Sequence, residues 1–247
     1  MIPLLLNFSI TPGWTDTEGL RCESLQFKQT GFDTVWVDLT DRSLQLFWKH
    51  PDGARHQTFL NLKAFLEESG KKLLFATNSG IYAEDYTPLG LHVENGEILR
   101  RLNKSKGGKG NFSMKPNGVF FIDNGKAKIL ETSEYEAQEA TPDLAVQSGP
   151  LLLHKGKIHP KFNVGSESVY VRNGVGVDPE GKVVFAISQK PVNLFTFASY
   201  FRDRLGCKDA LYLDGALSGM YAPCLGREDI GFNYVGILAV VEDASPD

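Results

Sequence analysis

Asp214 occupies the position in this sequence that is most typical of a catalytic carboxylate. It follows the apolar run from Ala210 to Leu213 and directly precedes Gly215. An acid at the end of a buried strand is held by a rigid element and opens toward a loop, as in many active sites. An Asp-Gly pair also reverses the chain in ordinary turns. This stretch alone therefore does not predict a catalytic site.

Three other segments repeat the same design, in which polar side chains and glycines follow a predicted apolar strand. The four segments are Asn78-Ser79-Gly80, Gln147-Ser148-Gly149, Arg172-Asn173-Gly174 and Asp214-Gly215 with Ser218 close behind. Together they predict a polar pocket that is lined from several strands. The Arg172 guanidinium suits a phosphate or carboxylate, and the amides supply donors and acceptors for hydroxyl groups. Asp214 is a candidate acid, base, nucleophile or hydroxyl acceptor.

Each of these residues also has a purely structural interpretation. Asn78 and Asn173 precede small residues, so both can simply shape turns. Arg172 can pair with Asp178 across a hairpin, and Ser148 can be a satisfied core hydroxyl. A structural role is sufficient to explain any one of these residues. A shared pocket explains the presence of the whole set better.

Lys115 and Asn117 are additional candidates, because they flank Pro116 directly before a predicted strand. They follow a glycine- and lysine-rich loop that begins at Lys104 and lacks the pattern of a phosphate loop. We interpret the first half of this loop as flexible surface and only its end as part of the pocket.

The candidates for metal binding are few. The five histidines are scattered, and neither they nor the three cysteines have the spacing of a zinc site. Asp85 is the nearest second carboxylate to the pocket, although a solvated loop is its simplest interpretation. No cofactor is predicted with certainty, and a divalent cation on Asp214 and Asp85 is left open.

The composition limits the classes of protein to which this chain can belong. It has 247 residues and a formal net charge of -4, which argues against a nucleic-acid binder with a broad basic surface. No apolar run reaches the length of a membrane span, and the run from Ile2 to Leu6 is too short for a signal peptide. The missing signal does not settle the compartment. Cys207 and Cys224 are either bridged or remain buried free thiols.

The pattern of the chain predicts a hairpin-rich α+β domain with two principal helices. Apolar residues at helical spacing predict helices between Phe59 and Gly70 and between Asn193 and Gly206. Turn signals such as Asn-Gly separate alternating apolar segments. The predicted hairpins are 34–39 with 44–48, 90–93 with 97–100, 119–123 with 126–130, 151–154 with 157–158, and 176–178 with 182–188. The mixture of few helices and many antiparallel strands predicts an α+β fold rather than an alternating βαβ fold.

Seven short motifs, in order from about residue 35 to 241, resemble the phosphodiester glycosidase family. They are Asn78-Ser-Gly-Ile-Tyr82, Pro88-Leu-Gly-Leu91, Gly110-Asn-Phe112, Lys115-Pro-Asn-Gly-Val-Phe120, Gln147-Ser-Gly-Pro150, Arg172-Asn-Gly-Val-Gly176 and Leu211-Tyr-Leu-Asp-Gly215 with Ser218. Two family glycines are replaced, by Ser79 and by Ala216. Both replacements add a side chain beside the pocket, so we expect a substrate that differs from that of the family's namesake.

The resemblance implies a hydrolase that cleaves a sugar-1-phosphodiester at the glycosidic carbon. Asp214 and Arg172 would be catalytic, and the other pocket residues would bind the sugar-phosphate substrate. Two alternatives stay open, namely a metal-dependent phosphodiesterase that attacks phosphorus and a non-catalytic glycan-binding module. The resemblance also implies a family domain over residues 34–247, with residues 1–33 packed on it. It favours a periplasmic or secreted location, and a cytoplasmic one is not excluded; the oligomeric state is not predicted.

Overall fold

The computed structural model describes residues 15–17, 19–105, 107–108, 110–214, 217–231 and 233–244. Within these residues the chain forms eighteen strands. They are β1 Thr15–Thr17, β2 Leu20–Phe27, β3 Thr30–Val37, β4 Leu44–Phe47, β5 Lys71–Asn78, β6 His92–Glu94, β7 Glu97–Arg100, β8 Gly118–Asp123, β9 Lys126–Glu131, β10 Leu144–Ser148, β11 Leu151–His154, β12 Lys157–Ile158, β13 Asn173–Val177, β14 Val183–Ser188, β15 Ala210–Tyr212, β16 Met220–Ala222, β17 Arg227–Glu228 and β18 Ile237–Asp243. The α-helices are α1 Phe59–Glu68, α2 Thr132–Ala137 and α3 Leu194–Ser199.

The strands form three sheets, and the described strand pairs are all antiparallel. The large sheet has the order β1-β2-β3-β14-β13-β15-β11-β12. The second sheet has the order β7-β6-β10-β8-β9, and the third has the order β17-β16-β5-β18-β4. This architecture confirms the predicted α+β class. No helix among the described residues is long and apolar enough to cross a membrane.

Four of the five predicted hairpins form, and one does not. The Asn95-Gly96 and Asn124-Gly125 turns have positive φ angles at both residues and join β6 to β7 and β8 to β9. The prediction of a hairpin over residues 34–48 is wrong, because β3 pairs with β2 and β14 in the large sheet. Strand β4 instead pairs with β18 in the third sheet. Alternation identified both strands but carried no information about their distant partners.

The core lies where the inner faces of the three sheets meet. Phe185 of the large sheet contacts Phe75 of the third sheet at a ring-centroid distance of 5.1 Å. The same ring meets Phe120 of the second sheet edge-on at 6.3 Å. All three side chains are fully buried. Burial of such large apolar rings is the main force that holds the sheets against one another.

Two helices cover outer faces of the sheets, as predicted. Thr58 caps helix α1, because its hydroxyl accepts a hydrogen bond from the Asn61 amide at 3.0 Å. The helix packs on the third sheet through residues such as Leu62. The second predicted helix is α3 followed by a π-helical turn, Tyr200–Arg204, which packs on the large sheet. Helix α2 was not predicted; Glu131 caps its N-terminus in a capping box with Glu134.

A disulfide joins Cys22 in β2 to Cys224. Cys224 is therefore neither bridged to Cys207 nor a free thiol, and both predicted alternatives are wrong for it. Cys207 is a buried free thiol. The sequence offered no pairing signal, because the bridged cysteines are 202 residues apart. The predicted boundary between residues 33 and 34 falls inside β3, whose hairpin with β2 belongs to the large sheet.

Candidate active site

The ends of strands from all three sheets meet at a buried polar junction. Asn173, the first residue of β13, lies at its centre. Its amide nitrogen donates to the Thr77 hydroxyl at 3.0 Å and to the Asn78 side-chain oxygen at 2.9 Å. Its backbone N–H donates to the Ser218 hydroxyl at 3.1 Å. These bonds fix the β5 end of the third sheet against the large sheet.

The same junction positions Asp214. The Asp214 backbone N–H donates to the Asn173 side-chain oxygen at 3.4 Å, and the Ser218 hydroxyl donates to that oxygen at 3.2 Å. The Asn78 side-chain oxygen also accepts from the Gly219 amide at 2.8 Å. The two asparagines therefore hold the backbone N–H of Asp214 and, further along the chain, Ser218 and Gly219. The predicted residue Gly215 lies outside the described residues.

Asn78 has one buried donor that none of the described residues accepts. Its side-chain nitrogen has no hydrogen-bond partner among the described residues, although Asn78 is only 2% exposed. An unsatisfied buried donor costs free energy.

Arg172 is a buried cation held entirely by neutral groups. It is 1% exposed. Its Nε donates to the Val192 carbonyl at 2.7 Å, Nη1 to the Tyr212 hydroxyl at 2.8 Å and Nη2 to the Ser168 carbonyl at 2.8 Å. Of five guanidinium N–H groups, these bonds use three.

Arg172 forms no ion pair with any of the described residues. No carboxylate of the described residues lies within ion-pairing distance of it, and the ion pairs that do form involve other residues. The predicted alternative, a pair with Asp178, does not form. A buried charge is costly unless it is paired. The structure therefore favours an anion as the missing partner of Arg172.

Arg172 and Asp214 line one cleft of about 460 Å³. The other lining residues are Ile81, Tyr82, Gly110, Asn111, Ser168, Tyr170 and Leu217. The pKa of Tyr82 is raised because the phenol is partly buried and because the negative charge of Asp214 is close. Cation, carboxylate and aromatic walls thus share one cavity, in which they can bind a ligand that carries both an anionic group and a ring.

Gln147 and Asn117 are brought near this region but hold the protein together. The Gln147 side-chain oxygen accepts from the backbone amides of Leu91 at 3.0 Å and Asn103 at 2.8 Å. The Asn117 oxygen accepts from Thr132 at 2.7 Å, and its nitrogen donates to a backbone carbonyl. Both side chains are fully buried and their polar atoms are occupied. The structure does not bring them into the lining of the cleft.

Lys115 and Asp85 also lie outside the lining. The Lys115 ammonium donates to the Asn117 side-chain oxygen at 2.7 Å, and partial burial lowers its pKa. Asp85 is exposed and accepts bonds from the backbone and hydroxyl of Thr87, which lower its pKa. Each charge is used locally, in a contact or a turn.

The small residues of the predicted segments pack where the sheets approach one another. A side chain at Gly80 would meet the Gln147 carbonyl at 2.8 Å, and one at Gly149 would meet the Asn117 Cβ at 2.6 Å. Ser79 is buried, and its backbone N–H donates to the Gly236 carbonyl at 2.8 Å. The Ser148 hydroxyl donates to the carbonyl of Leu213. Ser148 is thus the satisfied core hydroxyl of the structural interpretation.

The apolar strand that was predicted before Arg172 does not form over residues 169–171, so Arg172 directly precedes β13 and Asn173 begins it. The segment carries only an isolated bridge between Tyr170 and Val192. Tyr170, Asn111 and Leu217 line the cleft but were not predicted as site residues. The only available signal for Tyr170 was its position two residues before Arg172. Among the described residues, no group of three or more His, Cys, Asp or Glu side chains could hold a metal ion.

Comparison with known proteins places these residues in a family context. The phosphodiester glycosidase family matches residues 71–235. The uncharacterized protein YigE of Escherichia coli is 37% identical over 178 residues, which cover 72% of this chain and 69% of YigE.

Solved structures share the fold. The catalytic domain of zebrafish N-acetylglucosamine-1-phosphodiester alpha-N-acetylglucosaminidase, auto-inhibited by its pro-peptide, aligns with a TM-score of 0.62 and 16% identity over 94% of this chain and 84% of that one. A hypothetical protein from Synechocystis aligns with a TM-score of 0.59 and 14% identity, over 94% of this chain and 64% of that one. The motifs, the sequence match over residues 71–235 and the fold agree, and the chain belongs to the phosphodiester glycosidase family.

Proposed function

We propose that this protein hydrolyses a sugar-1-phosphodiester at the glycosidic carbon, releasing the sugar and a phosphomonoester. The observation that carries the proposal is the buried Arg172 cation, which has no carboxylate partner among the described residues and faces the cleft that also contains Asp214. A bound phosphodiester supplies the missing negative charge. Family membership and the name of the zebrafish relative support the same class of substrate.

In this proposal Arg172 binds the phosphate that departs. Two of its N–H groups form no hydrogen bond with the described residues, and a guanidinium can direct two parallel N–H groups at two phosphate oxygens. The three neutral contacts of Arg172 hold the fork rigidly, so little reorganisation is needed when charge develops on the leaving group. A phosphate is already a good leaving group, so less acid catalysis is needed than for an ordinary glycoside, which usually requires two carboxylates.

Asp214 acts at the anomeric carbon in this proposal. As a general base it would activate water, and as a nucleophile it would form a glycosyl-enzyme intermediate. The first route inverts the anomeric configuration and the second retains it. Nuclear magnetic resonance of the first-formed sugar therefore separates the two roles. The Asn78 side-chain nitrogen has no partner among the described residues, so in this proposal it donates to a sugar hydroxyl.

The test is release of reducing sugar from an α-N-acetylglucosamine-1-phosphodiester, measured with and without a chelator. We expect release by the wild-type protein and a loss of at least about 100-fold in Asp214→Asn. The matched control is Asp203→Asn, which removes an exposed carboxylate that pairs with Arg202; we expect its turnover to be unchanged.

Three outcomes would contradict parts of the proposal. Normal turnover by a folded Asp214→Asn variant would exclude a catalytic Asp214. Turnover abolished by the chelator would favour a metal-dependent phosphodiesterase. Glycan binding without turnover of any sugar phosphodiester would favour a binding module.

We further propose that the protein works outside a reducing compartment. The Cys22–Cys224 disulfide supports this location, because structural disulfides form and persist in oxidising environments. Fractionation of cells of the source organism should find the protein in the exported fraction. Recovery in the cytoplasm with both thiols reduced would contradict it.

A further inference from the structure

Tyr170 is a large aromatic side chain that remains exposed at the rim of the cleft. It is 52% exposed and lines the same cavity as Arg172 and Asp214. A single exposed aromatic residue needs no explanation on a protein surface. This one lies beside a buried cation in a concave site, where aromatic side chains commonly supply the contact surface for a ligand.

The position of Tyr170 is fixed before any ligand binds. Its backbone forms a two-sided bridge with Val192, with N–O distances of 3.2 Å and 2.8 Å. The Arg172 guanidinium lies 5.3 Å from the centre of its ring. Arg172 Nη2 also holds the Ser168 carbonyl, two residues before Tyr170. A rigid aromatic surface loses little conformational entropy on binding and is therefore an effective platform.

The two tyrosines of the cleft lie next to different functional groups. Tyr82 lies close enough to Asp214 that the carboxylate helps to raise the pKa of the phenol, after the larger effect of burial. Tyr170 is instead in contact with Arg172. A diester with its anomeric carbon at Asp214 and its phosphate at Arg172 would therefore extend its aglycone, the group on the far side of the phosphate, toward Tyr170.

We propose that Tyr170 is the stacking platform for this aglycone, and that the aglycone carries a ring with an apolar face. A sugar ring and a nucleobase both have that chemistry, whereas glycerol does not. The inference rests on the proposed function, because it uses the direction in which the diester lies across Asp214 and Arg172. It adds a specificity-determining residue that neither the family match nor the names of the relatives identify.

The test compares three diesters of the same sugar-1-phosphate, whose aglycones are glycerol, a hexose and uridine. The variants are Tyr170→Ala and Tyr170→Phe. The matched control is Val169→Ala, because Val169 is the neighbouring residue, is 47% exposed and does not line the cleft. For Tyr170→Ala we expect a loss of about 10-fold in kcat/KM for a ring-bearing diester, carried mainly by KM. The glycerol diester should lose less than about 2-fold, and Tyr170→Phe and Val169→Ala should resemble the wild type.

The glycerol diester separates a platform from a structural role. If Tyr170 only supports Arg172, the alanine variant loses the same factor on all three substrates, and that result overturns the inference. An alanine variant with unchanged kcat/KM on every diester also overturns it. Tyr170 dependence with only the hexose or only the uridine diester identifies which ring the platform accepts.

Failure of the proposed function gives a different result. In that case the wild-type protein turns over none of the three diesters. Calorimetric binding of the same diesters then tests the role of Tyr170. The wild-type protein must bind a ring-bearing diester more tightly than Tyr170→Ala does. Equal affinities would overturn the inference.

Discussion

Replacement of Arg172 by lysine tests the role of the guanidinium, because it keeps the charge and removes the fork. The three bonds of Arg172 leave from three different nitrogens and reach three separate segments, at Val192, Tyr212 and Ser168. A lysine has one nitrogen, which can keep about one of these contacts. Two charge-assisted hydrogen bonds are then lost, at roughly 1.5–3 kcal/mol each.

We expect Arg172→Lys to lose about 3 kcal/mol of the free energy of unfolding, the lower end of that sum, because water from the open cleft can reach some of the freed acceptors. A domain of this kind has about 5–15 kcal/mol of stability, so the variant should still fold. The assay is urea denaturation followed by tryptophan fluorescence. Arg202→Lys is the matched control, since Arg202 is exposed and pairs only with its neighbour Asp203; we expect it to change stability by less than about 0.5 kcal/mol.

A second measurement on the same variants separates anion binding from packing. Inorganic phosphate should stabilise the wild-type protein, by about 2.7 kcal/mol at a concentration of 100 times its Kd. Arg172→Lys should lose most of this stabilisation at the same phosphate concentration, and Arg202→Lys should keep it. Equal stabilisation of wild type and Arg172→Lys by phosphate would exclude Arg172 as the anion-binding group. A loss of less than about 0.5 kcal/mol in urea would show that its three hydrogen bonds do not stabilise the fold as proposed.

Three further predictions concern other parts of the chain. Replacement of both disulfide cysteines by serine should lower the free energy of unfolding by up to about 5 kcal/mol, because the bond closes a very long loop. Urea denaturation measures this change, and an unchanged midpoint would contradict the prediction. Gly219→Ala should lower the melting temperature and the turnover, because its Cβ would lie 1.9 Å from the Tyr234 hydroxyl, whereas Gly107→Ala, with nothing within 4 Å, should be neutral in both assays. Burial and the nearby His50 lower the pKa of His56 to about 4, so the unfolded state binds more protons than the folded state between pH 4 and 6.5. Stability should therefore fall as pH falls through that window, by up to about 3 kcal/mol; denaturation at pH 5 and 7 checks this, and a His56→Phe variant with the same pH dependence would contradict it.

Local signals predicted the strands and turns, but the distant pairings were not visible in them. An Asn-Gly pair between alternating segments is sufficient to define a hairpin such as β8–β9, because both partners are neighbours in the sequence. Strand β3 instead pairs with β14, where Val35 faces Phe185. Nothing in the pattern of either strand identifies the other, so the predicted partner of β3 was simply the next strand along the chain.

The sequence predicted the region of the site better than the role of each residue. The expectation that Arg172 and Asp214 share a pocket agrees with the cleft that both residues line. Gln147 has the same polar chemistry and also lies near a strand end, yet its amide is occupied by backbone groups. Whether a buried amide faces a ligand or a loop depends on tertiary contacts, which residue type and spacing do not encode. Tyr170 was missed for the converse reason, because an aromatic residue on a loop carries no signal of its own.

The most direct test of the central claim is hydrolysis of the sugar-1-phosphodiester in oxygen-18 water, with mass spectrometry of the released phosphomonoester. Attack at the glycosidic carbon breaks the bond between carbon and oxygen, so we expect a phosphomonoester that contains no oxygen from the solvent. Phosphate oxygens do not exchange with water during the assay, which makes this product a more secure reporter than the sugar. A phosphomonoester that carries one solvent oxygen per turnover would show attack at phosphorus and would exclude the proposed reaction.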